Sequence, residues 1–390
     1  MHLLEKFALS SGLEVSKPKL LDEYTPNIYS KYILIDSSSE NSNDIYPYYD
    51  EVIYILKECM KNEDIKILNN YKTPDQELRY SDISFSISGR QLNYILKRAD
   101  LIISNDNLSL QIAGALNKKI VALFGSKHAQ NSKAFFGDEE NQINLEPNTE
   151  VKPFLDMVEE NEKRINNIYP EKVAEAACKL LGIDYNYNYE TISIGSAYTQ
   201  QNGGIECIPN QVIHPPEDSP EGVICRMDLL FNEENLARQL SVGKCVPFTD
   251  KEIDLRLIST FRENIPYLIY EIKENDNPQF VKKLTSMGIK VALISRLDEE
   301  EVTKKKMDYL DFGLIKIFKK DENFIKRYKD KNNIYYKSIR GLLSDKKIYA
   351  STEGWKNDSP IKHRYEASKC QDFEEISYEL DALHILKKLD

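Results

Sequence analysis

Ser104-Asn105-Asp106-Asn107 stands at the junction of two apolar patterns. Leu101-Ile102-Ile103 before it has the character of a buried strand. Ser109, Ile112, Ala113 and Leu116 after it have helical spacing. A strand that turns directly into a helix sets polar side chains beside the helix's unpaired N–H groups, where an anion is stabilised. A second apolar run, Ile120 to Phe124, ends in Gly125-Ser126-Lys127. Parallel strands would bring both ends to one carboxyl edge, the edge at which open α/β sheets bind ligands. Asn105, Asp106, Asn107, Gly125, Ser126 and Lys127 are therefore candidates for holding the phosphates of a nucleotide. The same residues also read as a plain helix cap, and on the local pattern alone that reading stands ahead.

The surrounding elements predict a fold able to position such a site. Residues 31–183 alternate short apolar runs with amphipathic helices, which indicates parallel βαβ units in a doubly wound sheet. Residues 1–30 read as a lead-in helix stopped by Gly12, followed by a linker marked by Pro18 and Pro26. Residues 184–222 read as a linker and irregular edge, biased by Asp184 to Tyr189 and punctuated by Gly203-Gly204 and Pro215-Pro216. Residues 223–390 alternate again and predict a second α/β domain, closed by a helix carrying Phe373, Ile376, Leu380, Leu383 and Leu386. The expected class is α/β, with two Rossmann-like doubly wound domains.

Composition excludes several classes of function. The 390 residues carry 52 basic and 63 acidic side chains, a net charge of −11. Broad electrostatic capture of nucleic acid or anionic lipid needs the opposite sign, so nucleic acid is an unlikely partner. No apolar run reaches the roughly 18 residues of a spanning helix, and no secretory signal is visible. The six cysteines lie far apart, form no C-x-x-C pair and read as reduced thiols of a cytoplasmic protein. The histidines show no metal-ligand spacing.

Several stretches follow one another in a telling order. Tyr32 to Ile35 is followed by Ser37, Ser38 and Ser39, then by Tyr46-Pro47. Gly89-Arg90 opens a leucine-containing helix to Ala99. Leu101 to Asp106, a helix through Leu116, and Val121 to Gly125 complete the series. This order resembles the C-terminal nucleotide-sugar-binding domain of the heptosyltransferase family, glycosyltransferase family 9, which has the GT-B architecture. The resemblance covers residues 31 to about 127 and is strongest over 98–125. It implies a glycosyltransferase that passes a hexosyl or heptosyl group from a nucleotide-sugar to a glycan or lipid-linked acceptor. It implies no metal or other cofactor, and a place in the cytoplasm or at the inner face of the membrane. It assigns donor binding to Ser37, Ser38, Ser39, Gly89, Arg90, Asn105, Asp106, Asn107, Gln111, Gly125, Ser126 and Lys127.

The sequence departs from the family pattern at four positions. Asn107-Leu108 replaces Thr-Gly, Gln111 replaces a histidine, and Asp44 aligns with a lysine. A carboxylate in place of a cation disfavours a diphosphate by several kcal/mol where the group is desolvated. The layout departs as well, because the family's acceptor domain and catalytic base precede this domain. Here the 223–390 unit could play that part in swapped order, another chain could supply it, or the chemistry could be absent. In the first case the base is expected after a strand of that unit, with Asp228 and Glu271 as candidates. The alternatives are a non-catalytic binding or scaffold protein that retains the fold, or one subunit of a two-chain transferase. Partner-chain binding and self-association both remain open.

Overall fold

The computed structural model describes residues 2–26, 29–147, 163–198, 205–214 and 222–389. The chain divides into two units, Met1–Tyr189 and Glu190–Asp390. Gly203, Gly204, Pro215 and Pro216, expected as linker punctuation, lie outside the described residues.

The first unit opens with α1 (Leu3–Ser11), which Gly12 ends in a left-handed conformation at φ 65°. Its elements then run β1 (Tyr32–Asp36), α2 (Tyr49–Cys59), β2 (Lys66–Asn70), β3 (Ile83–Phe85), α3 (Gly89–Arg98), β4 (Leu101–Asn105), α4 (Leu108–Ala115), β5 (Ile120–Leu123), α5 (Ala129–Ser132), β6 (Gln142–Leu145) and α6 (Pro170–Leu181). The six strands form one parallel sheet in the order β3-β2-β1-β4-β5-β6. The order reverses between β1 and β4, and a crevice opens at the carboxyl ends of strands at such a switch. Every residue of β1, β4 and β5 is buried, as expected of central strands covered on both faces. Tyr32, Leu34 and Ile102 pack with Leu92, Leu96 and Leu110 of the helices in one core.

Gly114 makes that packing close. A Cβ there would lie 2.5 Å from the Phe136 carbonyl oxygen and 2.6 Å from the Ala134 Cβ. Gly114→Ala is expected to destabilise the chain by roughly 1–3 kcal/mol through overpacking. Urea denaturation measures the loss, which must exceed the gain of about 1 kcal/mol that alanine brings to a helix interior.

The second unit contains β7 (Tyr189–Ile194), β8 (Ile205–Cys207), β9 (Val223–Arg226), α7 (Glu233–Val242), β10 (Cys245–Thr249), α8 (Leu255–Thr260), β11 (Leu268–Ile272), α9 (Gln279–Ser286), β12 (Val291–Ser295), α10 (Glu299–Tyr309), β13 (Ile315–Ile317), α11 (Glu322–Tyr328), β14 (Ile334–Ser338), β15 (Gly341–Ser344), β16 (Lys347–Tyr349), α12 (Thr352–Lys356), β17 (Ser368–Lys369), α13 (Phe373–Ser377) and β18 (Leu383–Lys388). An eight-stranded sheet has the order β13-β12-β11-β10-β9-β8-β15-β16, parallel from β13 through β15. From β8 to β13 each strand sits beside the next in sequence, with no reversal. Val223, Cys225, Leu268 and Tyr270 share a core with Leu236, Leu240, Ile258, Phe280 and Tyr309 of α7 to α10. Strand alternation and register put Glu206, Arg226, Phe248 and Glu271 on the opposite face. A second, four-stranded sheet has the order β17-β14-β18-β7, in which the unit's first and last strands are neighbours.

The class is α/β with parallel sheets. Two local expectations are corrected. Residues 184–222 are more than linker, since they supply β7 and β8, one to each sheet of the second unit. The closing helix stops at Ser377, and Leu383 and Leu386 belong to β18. Leu383, His384, Ile385 and Leu386 are all buried because β18 lies between two other strands. A strand covered on both faces gives a continuous apolar run that mimics a buried helix.

Candidate functional site

The loops after β1, β4 and β5 meet at the carboxyl edge of the first sheet. Asn107 caps α4, its Oδ1 accepting from the Leu110 N–H at 3.3 Å and the Ser104 hydroxyl at 2.7 Å. Its Nδ2 donates 2.9 Å to the Ser38 carbonyl and so ties the start of α4 to the loop after β1. The capping reading of Asn107 is thus realised in the structure.

Asp36, which sequence reasoning missed, ends β1 and organises this crevice. It is 1 % exposed and accepts from the hydroxyls of Ser38 (2.5 Å) and Ser109. Burial pushes its carboxyl above the usual range, although both serines stabilise the charged form. The signal lay in its place, directly after Ile33-Leu34-Ile35.

Ser37, Ser38 and Ser39 serve the loop's own structure. The Ser37 hydroxyl donates to the Gln76 carbonyl at 2.7 Å, and the Ser39 hydroxyl to the Asn41 carbonyl at 2.8 Å. Gln111 latches α4 onto the following loop, donating to the carbonyls of Ser132 (3.0 Å) and Lys133 (3.3 Å). Asp44 is buried and holds the Ser126 amide at 3.0 Å and hydroxyl at 2.9 Å. A Cβ on Gly125 would meet Ile165 at 2.8 Å, which explains the glycine. Gly89, at φ 60°, and Arg90 begin α3 beyond edge strand β3, two strands away from the switch point. The structure therefore does not bring Gly89 and Arg90 to the switch point.

Asn105, Asp106 and Lys127 do come together. Asn105 is fully buried; the Tyr49 hydroxyl donates 2.6 Å to its Oδ1, while its Nδ2 has no partner among the described residues. Lys127 Nζ lies 3.1 Å from Asp106 Oδ2. Desolvation raises the Asp106 carboxyl's pKa; Lys127 opposes the shift, and Asp44 adds to it. Asp106, Gln111 and Lys127 form the polar end of a cleft of about 640 Å³ whose walls include Phe7, Leu13, Leu108 and Phe136.

Asp228 and Glu271 lie in the second unit, both already ion-paired. Arg226 grips Asp228 in a two-pronged contact, Nε to Oδ1 and Nη2 to Oδ2, each 2.8 Å. It donates 2.5 Å to Glu206 as well, and its guanidinium stands 4.6 Å from the Phe248 ring centroid. Burial alone would lower its pKa, but the carboxylates of Glu206 and Asp228 outweigh that and raise it. Glu271 Oε1 is 2.8 Å from Lys273 Nζ. Among the described residues no cluster of three or more His, Cys, Asp or Glu could hold a metal ion, and no helix is long and apolar enough to cross a membrane.

No family model matches the sequence, and no curated protein matches it. Solved structures do resemble it in part. A glycosyltransferase family 9 protein from Veillonella parvula DSM 2008 is 18 % identical over 45 % of this chain and 49 % of that chain, with a TM-score of 0.32. E. coli ADP-heptose LPS heptosyltransferase II is 14 % identical over 45 % and 50 %, with a TM-score of 0.30. The dodecameric, iron-containing glycosyltransferase TibC from enterotoxigenic E. coli H10407 is 14 % identical over 44 % and 52 %, with a TM-score of 0.34. The chain spans about half the length of these structures. Theirs is the family that residues 31–127 resemble, and here too the likeness takes in only part of the chain.

Proposed function

We propose that the chain is a glycosyltransferase-like protein whose first unit binds a nucleotide-sugar at the β1/β4 switch point. The observation that carries this reading is Asn105: a fully buried amide donor without a partner among the described residues, flanked by Asp106 and Lys127. A buried donor left unmade is costly, and a phosphate or sugar oxygen would satisfy it. A glycan is the acceptor this reading requires.

A second reading is favoured by the charges. Asp36 and Asp44 are buried at the ends of the loops that meet here, Asp106 is paired with Lys127, and Asp44 already occupies the Ser126 amide. In this reading the protein keeps the fold as a non-catalytic binding or scaffold module.

Calorimetry with ADP-, UDP-, GDP- and CDP-sugars tests both. An incoming diphosphate raises the pKa of Asp36 and Asp106 further, so the complex holds more protons than the free protein. Affinity is therefore expected to rise as pH falls from 8 to 5.5, by at most about tenfold per pH unit for each proton taken up. Absence of heat at millimolar nucleotide-sugar at both ends of that range eliminates the donor reading. Binding without sugar transfer to any glycan selects the second.

A further inference from the structure

The amino edge of the first sheet, at the other end of the strands from the switch point, holds a cavity of about 530 Å³. Residues that enter the strands line it. Lys31 precedes β1, Asp100 precedes β4, and Lys118-Lys119 precede β5. The order β1-β4-β5 makes these strands neighbours. The entries of β1 and β5 therefore stand two strand spacings apart, about 10 Å. Backbone bonds fix the entries in place. The Lys31 carbonyl accepts from the Lys66 N–H at 3.2 Å, the Asp100 N–H donates 3.0 Å to the Tyr32 carbonyl, and the Lys119 carbonyl accepts from the Ile102 N–H at 2.9 Å.

The charge of this cavity runs against that of the chain. The chain carries a net −11, yet Lys31, Arg98, Lys118 and Lys119 line the cavity against only Glu63 and Asp100. Asp100 is partly committed, its Oδ2 accepting from the Tyr32 N–H at 2.9 Å. Arg98 is held by its own helix: Nη1 donates 3.1 Å to the Tyr94 carbonyl, and the guanidinium stands 3.5 Å from the Tyr94 ring centroid. The lysines are not committed. Among the described residues, the ammonium groups of Lys31, Lys118 and Lys119 make no ion pair and no hydrogen bond. Lys31 is exposed, whereas Lys118 and Lys119 are half-buried. Desolvation lowers the Lys118 pKa, and Asp100 opposes that shift without cancelling it. A cation held partly out of water without a counter-ion gains from an incoming anion.

The lining also selects the kind of anion. Ammonium groups act as point charges toward phosphate oxygens. Three of them spread along a rim suit a chain of phosphates better than a single carboxylate. A cavity of this size admits a small molecule.

We propose that this cavity is a second ligand site, which binds a small polyphosphate, free or nucleoside-linked, through Lys31, Lys118 and Lys119. It goes beyond the nucleotide-sugar reading and lies at the other edge of the same sheet, so the two can succeed or fail separately.

Calorimetry of the full chain with tripolyphosphate at low ionic strength should show binding that Lys127→Gln, at the carboxyl edge, leaves intact. Lys118→Gln should weaken this binding by about tenfold, and the triple variant Lys31→Gln, Lys118→Gln, Lys119→Gln by about hundredfold or more. The exposed triple Lys326→Gln, Lys329→Gln, Lys331→Gln removes the same charge elsewhere and should change affinity by no more than about twofold. Tighter binding of ATP than of tripolyphosphate identifies the nucleoside-linked form, and equal affinity the free one. A second measurement needs no variant. Acetylation of the wild type by an N-hydroxysuccinimide ester should be slowed by tripolyphosphate at Lys31, Lys118 and Lys119, and unchanged at Lys329. No heat at millimolar tripolyphosphate, binding that survives the cavity triple, an equal loss in the exposed triple, or acetylation unslowed at the cavity lysines each overturns the proposal.

Discussion

Arg226→Ala is expected to destabilise the second unit by about 3–5 kcal/mol, because it leaves Glu206 and Asp228 as buried charges without their partner. Both carboxylates are largely shielded, with side chains 12 % and 5 % exposed. Arg340, 3.7 Å from Glu206, offers only partial relief, and its side chain is 44 % exposed. The Phe248 ring would also lose the guanidinium stacked over it. The triple change Arg226→Met, Glu206→Gln, Asp228→Asn should restore much of the loss, since a neutral cluster carries no uncompensated charge. Denaturant titration of both variants decides the matter. Equal loss in the two would show that packing, not charge, governs this cluster.

Asp36→Asn combined with Asp106→Asn is expected to tighten nucleotide-sugar binding by roughly ten- to hundredfold at pH 7.5. Removing a desolvated charge a few ångströms from a diphosphate is worth about 1–3 kcal/mol at an effective dielectric near 20. Asparagine keeps the shape of each side chain, and the Ser109 hydroxyl can turn to accept where it now donates to Asp36. The pH dependence should flatten in the same variant, because the titrating groups are gone. Unchanged or weaker calorimetric affinity would place the ligand elsewhere.

The parts of the first unit legible in sequence were those written in local pattern. Leu101 to Asn105 is strand because it is apolar and bounded by polar residues. α4 begins where Asn107 can cap it, and α6 runs from Pro170 to Leu181, started by the proline and stopped by the capping Gly182. Partnerships across the chain were not legible. Asp44 and Ser126 are 82 positions apart, and nothing near either shows that one satisfies the other. Ser37 and Gln111 look like ligand contacts in one dimension, yet the fold spends them on Gln76, Ser132 and Lys133. Asp36 was hidden because an aspartate that ends a strand commonly faces solvent, and only the paired loops bury it. In the second unit, β8 and β18 owe their structure to strands distant in sequence, so their own short patterns do not declare them.

The arrangement of β7 and β18 has a consequence for the chain's connectivity. Because the strand that enters the second unit is laced to the strand that leaves it, the backbone of that unit traces a nearly closed ring. Bridging those ends with a few flexible residues and reopening the ring in an exposed connection, such as the one between α10 and β13, would preserve every ladder. Such a rewired chain should assemble the same two sheets, and the gene order of its strands becomes a free variable.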